Sequence, residues 1–141
     1  MVVLGVLGET EGEEMKLEKD VWKSFKRCLP DGIMARRIED TANLGTWDVI
    51  MTHRGGGAWI ELKHTKTVGT KPKLRPGQSG FGQRLILSGT PGVYVVGDDA
   101  GSVRVLGRDY DGEDWKASLL STWDRMEAPK VHSLCQWLGV V

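Results

Sequence analysis

Between Thr46 and Thr65 the chain carries two strand-length runs, TWDVIMTH and AWIELKHT, separated by Arg54 and three glycines. Two such runs across a glycine-rich turn read as a β-hairpin, which commits the middle of the chain to antiparallel pairing. Side chains alternate along a strand, so Ile60 and Leu62 share one face while Trp59, Glu61 and Lys63 share the other. A strand that is apolar on one face and sets a carboxylate beside an ammonium on the other needs a reason for both.

The flanks decide the fold class. From Glu11 to Leu29 the residues Leu17, Val21, Trp22, Phe25 and Leu29 recur at helical spacing, and LPDG stops the helix at Pro30 and Gly32. Glu18 lies three and four residues before Val21 and Trp22, which puts a carboxylate on the apolar stripe. IMARRIED predicts a short strand, and residues 66 to 77 a loop rich in Lys, Gly and Pro. QSGFGQRLILSG predicts a second helix ended by Gly89, against the preference of its two internal glycines. GVYVVG and GSVRVLG read as strands around the turn DDAG, and EDWKASLLSTWDRM and PKVHSLCQWLGVV as two further helices. This order predicts one mixed α/β domain over residues 1–141, and that length suits a single core.

Charge informs by position. Lys+Arg and Asp+Glu both total 19 of the 141 residues, so net charge favours no partner class. Between His53 and Arg84, however, Arg54, Lys63, Lys66, Lys71, Lys73, Arg75 and Arg84 face a single acid, Glu61. Such a stripe suits a polyanion, or is a solvated lysine-rich loop. Cys28 and Cys135 show no metal-ligand spacing, so zinc is not expected and both read as buried thiols in a reducing compartment. The opening MVVLGVLG is too short to span a bilayer, and the expectation is a cytoplasmic protein with no membrane partner.

Pairing the hairpin strands brings Asp48 alongside Glu61. Two carboxylates from adjacent strands can share a Mg²⁺ or Mn²⁺ ion, which takes a few oxygen ligands and keeps waters. Lys63, on the face of Glu61, would orient water or offset developing phosphate charge, and Glu18 could add a third carboxylate.

Asp48, the gap of twelve residues containing HRGGG, and Glu61-Leu62-Lys63 resemble the core of the PD-(D/E)xK nuclease superfamily. More narrowly, GTWDVI, GGGAWIELKHTK, KLRPGQSGF and GTPGVYVVG in this order are similar to small phage and VRR-NUC-type nucleases and to Holliday-junction resolvases. The match runs from Glu11 to Gly97, and Trp47 stands where the name-giving proline would be. The resemblance implies a restriction-endonuclease-like mixed sheet flanked by helices. It implies that Asp48, Glu61 and the Leu62 carbonyl hold metal with Glu18, that Lys63 is the catalytic lysine, and that Gln78 lies near the active site. On this reading Lys66, Lys71, Lys73, Arg75 and Arg36 contact DNA phosphates.

Each residue also has a plain alternative. Glu61 and Lys63 would make an ion pair on a solvated face, and Asp48 would cap a turn after Gly45. Glu18 would be solvated, in competition with Glu14, and Gln78 would be an ordinary first-turn residue. The expectation is a metal-dependent DNA endonuclease, structure-selective in the manner of a junction resolvase and homodimeric through the C-terminal helices, with a phage origin compatible. The alternatives are a nuclease acting on flaps or ends, a non-catalytic nucleic-acid-binding module of the same fold, and a purely structural protein.

Overall fold

The hairpin forms as expected, and its turn is tight. His53 pairs with Gly56, leaving only Arg54 and Gly55 between the strands, at φ of 46° and 85°. Two consecutive left-handed residues are what a hairpin needs for its twist to match that of its strands, and glycine takes the second position without strain. The computed structural model describes residues 14–39 and 45–141. Residues 11–13, in the expected first helix, and 40–44, after the first strand, lie outside them.

In chain order the described elements are α1 (Glu18–Arg27), β1 (Met34–Arg37), β2 (Val49–His53), β3 (Gly56–Thr65), α2 (Gln78–Ser88), β4 (Gly92–Asp98) and β5 (Val103–Gly107). A 3₁₀ turn at Trp115–Ser118, β6 (Leu119–Trp123) and α3 (Ala128–Trp137) complete the chain. The strands form one mixed sheet in sequence order, β1 to β6, flanked by three helices. All neighbours are antiparallel except β3 and β4, which run parallel with Glu61 opposite Tyr94. That parallel pair requires a crossover, which the basic loop and α2 supply.

The sheet separates two cores. Val49, Met51, Ile60, Leu62, Val93, Val95, Val103 and Val105 face α1 and α3, meeting Val21 and Phe25 from the one and Val131, Leu134 and Cys135 from the other. The opposite face is aromatic: Trp47, Tyr94, Tyr110, Leu85, Val96 and Leu106 pack under α2 with Trp59 and Phe81 at their border. Gly82 explains one of the helix glycines, because a Cβ there would lie 2.4 Å from the Arg108 carbonyl oxygen. Both cysteines are buried free thiols, and burial pushes Cys135 up to about 11.

Two expectations are corrected. The described first helix begins at Glu18, while Met15 before it is buried in the aliphatic core. More substantially, EDWKASLLSTWDRM is not a helix. Asp114 caps a single 3₁₀ turn by accepting from the N–H groups of Lys116 and Ala117, and the chain then extends as β6 along β5. Leu119, Leu120 and Trp123 have helix-like spacing, but the exposed edge of β5 offers a ladder and Trp123 buries its ring in the core beneath it. Of the two expected C-terminal helices only α3 forms. Among the described residues no helix is long and apolar enough to cross a membrane.

Candidate active site

Alternation puts Glu61 and Lys63 on the aromatic face of β3, under the start of α2, and both are buried, at 0% and 4% exposure. The solvated ion pair considered from the sequence is therefore not what forms. Lys63 Nζ lies 3.4 Å from Glu61 Oε2. Asp48, one residue before β2, donates its backbone N–H to Glu61 Oε1 at 3.0 Å, and Gln78 Nε2 donates to Glu61 Oε2 at 2.6 Å. Gln78, fully buried, also accepts at Oε1 from the Arg75 N–H, while the Trp47 indole N–H donates to its carbonyl oxygen at 3.0 Å. Trp47, in the proline position of the resemblance, thus ties the strand carrying Asp48 to the helix carrying Gln78.

The two loops at the mouth touch backbone to backbone. A Cβ on Gly45 would lie 2.3 Å from the Gly77 carbonyl oxygen, and Gly77 has φ of 86° as the residue leading into α2. Glycine at both positions lets Asp48 and Gln78 approach Glu61 from two sides. Arg75, half exposed in the same loop, places Nη2 3.6 Å from Asp48 Oδ1 and 3.7 Å from Glu61 Oε2. The sequence suggested only a phosphate contact for Arg75. It is the cation at the mouth of the carboxylate pair.

Electrostatically the site is tense. Burial raises the Glu61 carboxyl, the Asp48 carboxylate beside it raises it further, and Lys63 and Arg75 only partly offset both, leaving it at about 7. Asp48 Oδ2 is buried with no hydrogen-bond partner among the described residues. An orphaned carboxylate oxygen beside a proton-holding carboxylate is a donor set that a hard divalent cation would satisfy. The Leu62 carbonyl suits the same set. Trp59 directs its N–H toward β4, so by alternation the Leu62 backbone points toward the β2 side, two positions beyond the last β2–β3 pair at Ile60.

The other expected residues fall outside this cluster. Glu18 opens α1, which packs on the aliphatic face, and no described contact joins it to Asp48 or Glu61. Among the described residues no group of three or more His, Cys, Asp or Glu side chains converges to hold a metal. Lys66, Lys71 and Lys73 are exposed along the loop, with Lys71 paired to Glu113 at 2.9 Å. Arg36 is exposed on β1, opposite Ile50. His64 points to the aliphatic side, where Nε2 lies 2.7 Å from the Met15 carbonyl oxygen and 2.9 Å from Asp99 Oδ1.

One participant was not foreseen. Arg104, fully buried two strands from Lys63, stacks 4.5 Å from the Trp115 ring centroid and donates to Thr65 Oγ1 at 2.7 Å. Through Thr65 and Thr67 it fixes the root of the basic loop, and Tyr110 donates to the Pro72 carbonyl oxygen further along. An arginine in the apolar run VRVLG was the available signal. No family model, curated protein or solved structure matches this chain.

Proposed function

We propose that the chain is a metal-dependent endonuclease with a restriction-endonuclease-like fold, hydrolysing phosphodiester bonds at Asp48, Glu61 and Lys63. One observation carries the reading. A Glu and a Lys two residues apart are buried together, the Glu holds a proton near neutrality, and the neighbouring Asp has an oxygen with no partner. A protein using these groups only for stability would be better served by apolar ones, since burying charge is costly even when paired. A perturbed carboxyl beside a lysine at a loop mouth marks a functional site more often than scaffolding.

Asp48, Glu61 and the Leu62 carbonyl would hold Mg²⁺ or Mn²⁺. A bound ion of this kind polarises a phosphoryl oxygen and makes a coordinated water more acidic. Holding a cation there would require the Glu61 carboxyl to be ionised, so loading would be favoured above about pH 7. Gln78 fixes the orientation of Glu61, and Lys63 positions the attacking water while offsetting charge on the phosphorus oxygens. Arg75, half exposed at the mouth beside both carboxylates, contacts the incoming phosphate. Lys66, Lys73 and Arg36 extend that contact along the backbone, so binding weakens steeply with salt. A resolvase-like preference for branched DNA calls for two sites and hence a homodimer, a part of the reading that the exposed Leu120 and Trp137 near the edge strand β6 support.

A second reading, a non-catalytic nucleic-acid-binding module, draws on a different observation. Both Glu61 oxygens already accept hydrogen bonds, and Lys63 and Arg75 already oppose its charge. Incubation of labelled four-way junction, flap and linear duplex DNA with Mg²⁺, Mn²⁺ or EDTA decides between them, with Glu61→Ala alongside. Paired metal-dependent nicks at the junction, absent in the variant, support the resolvase-like enzyme. Cutting of flaps or ends alone keeps the nuclease and removes that preference. Binding without product on any substrate leaves the module.

A further inference from the structure

The sheet is unevenly covered on the side that carries Glu61. Arg36 pairs with Ile50, Ile50 with Trp59, and Met34 with Thr52, so these five residues share one face. Trp59 is two residues from Glu61, so they share it with the site as well. The aromatic core under α2 covers that face from β3 toward β5. Beyond its border the wing formed by β1 and β2 lies open: Met34 is 66% exposed, Arg36 and Thr52 are exposed, and Ile50 and Trp59 are half-buried. On the reverse of the same strand, Val49 and Met51 are completely buried. β2 is therefore core on one side and open on the other, immediately next to the carboxylates.

The composition of this wing is specific. Its floor is Ile50, Trp59 and Met34, and Phe81 meets the Trp59 ring edge-on at a centroid distance of 5.0 Å. Its rim is cationic. Arg84 lies 5.7 Å from the Phe81 centroid on the α2 side, and Arg36 stands on the β1 side. Strands lie about 4.8 Å apart, so Arg36 on β1 is roughly 10 Å from Trp59 on β3. Among the described residues no carboxylate pairs with Arg36 or Arg84. An apolar, partly aromatic floor between unpaired cations matches a chain that is anionic along its backbone and has flat apolar faces beside it.

From this we infer that the open wing seats an unpaired stretch of nucleic acid, its bases on Trp59 and Ile50 and its phosphates on Arg36 and Arg84, leading one strand to Glu61. The inference rests on the nuclease reading of the site, not on its resolvase-like preference, and narrows its substrate to one with a single-stranded segment. Intact duplex turns its phosphates outward and keeps its base faces stacked inside, so it would use the arginines and leave the floor uncovered. Single strands pair a basic groove with stacking surfaces, and each base–aromatic stack contributes roughly 1–3 kcal/mol. Flaps and frayed ends present such a segment, whereas a fully paired four-way junction does not.

The test is fluorescence anisotropy in EDTA with labelled dT20 and with a 20-bp duplex, using wild type, Arg36→Glu and Trp59→Ala. Arg36 is at the surface, so its variant folds even if Trp59→Ala loosens the aromatic core. The wild type is expected to bind dT20 more tightly than duplex. Trp59→Ala should lose roughly ten-fold on dT20, matching the stacking energy above, with a smaller change on duplex, whereas Arg36→Glu, which removes a phosphate contact, should weaken both DNAs. Equal affinity for both DNAs, or Arg36→Glu binding dT20 as wild type does, overturns the inference; saturation of the wing by a protein or peptide that excludes dT20 does the same. Cleavage in Mn²⁺ is scored separately. A chain that cuts duplex without preferring dT20 keeps the nuclease reading and loses this one. A chain that holds dT20 through Arg36 yet cuts nothing keeps this one and loses the nuclease.

Discussion

The two faces of the central sheet are built from the same strands and do opposite things. Toward α1 and α3, β2, β3, β4 and β5 present Val, Ile, Leu and Met with no charged group in the core. Toward α2 the same strands present Glu61, Lys63 and Arg104 among Trp, Tyr and Phe, all three charges buried. The aliphatic face gains from every methylene it hides. The aromatic face hides charged groups whose desolvation opposes folding, and it offsets this with hydrogen bonds from Asp48 and Gln78 to Glu61, with one from Arg104 to Thr65 and with ring stacking on Trp115. Stability and chemistry are thus assigned to opposite sides of a single layer, and strand alternation keeps them apart.

That division can be broken most sharply at Glu61. Glu61→Gln preserves shape and removes the charge, giving up one of the two hydrogen bonds the Glu61 oxygens accept, so cleavage should fall by roughly 10³-fold, on the scale of losing one well-placed electrostatic group, while urea titration at pH 8 still finds a folded chain. A variant that unfolds instead would mean the aromatic face is scaffold. The mirror experiment is Ile60→Ala, one residue away and fully buried on the aliphatic face. Urea denaturation should register a loss of about 3 kcal/mol, with cleavage per folded molecule changed less than ten-fold. A larger change in activity would show that the two faces are coupled.

A third outcome concerns pH. Glu61 titrates at about 7 in the folded chain and from its ordinary 4.5 when unfolded. Between those values the folded state holds the extra proton, so stability is greatest below pH 4.5 and falls as pH rises to about 7. The decline from this group is roughly 2–3 kcal/mol, read as urea midpoints at pH 5 and pH 8, and it should vanish in Glu61→Gln. The smallest effect is metal loading. At ten times its dissociation constant, Mn²⁺ should stabilise the chain by about 1.4 kcal/mol at pH 8. At pH 5, or in Glu61→Gln, calorimetry should register less. Equal stabilisation at both pH values would detach the cation from Glu61.

How much of this the sequence disclosed follows from which forces are local. The hairpin, the stop of α2 at Gly89 and the shared face of Glu61 and Lys63 depend on turn chemistry and alternation, and all are present. β6 is hidden in the sequence because Leu119, Leu120 and Trp123 suit a helix when seen alone, and only pairing along the edge of β5 makes them a strand. Glu18 was legible as a carboxylate on an apolar stripe, but which side of the sheet that stripe would cover is decided by packing partners far along the chain. Arg75 was legible as a cation, whereas its approach to both carboxylates depends on Gly45 and Gly77 letting two loops meet. Spacing reports what a residue is able to do, and tertiary contacts decide beside what it does it.

The single parallel pair in the sheet, β3 with β4, has a kinetic consequence. The β2–β3 hairpin closes over two residues and belongs to the microsecond class of events, about 1–10 μs. The β3–β4 ladder must wait until the loop and α2 have folded back, a closure that local contacts do not assist. Asp48 and Glu61 would meet early and stay hydrated, and Gln78 and Arg75 would seal them late. Substitutions at Ile50 should then slow refolding, while Gln78→Ala should chiefly accelerate unfolding, a contrast that stopped-flow chevrons would register. The charge that burdens the finished domain would be taken out of water only after the rest of the sheet is committed.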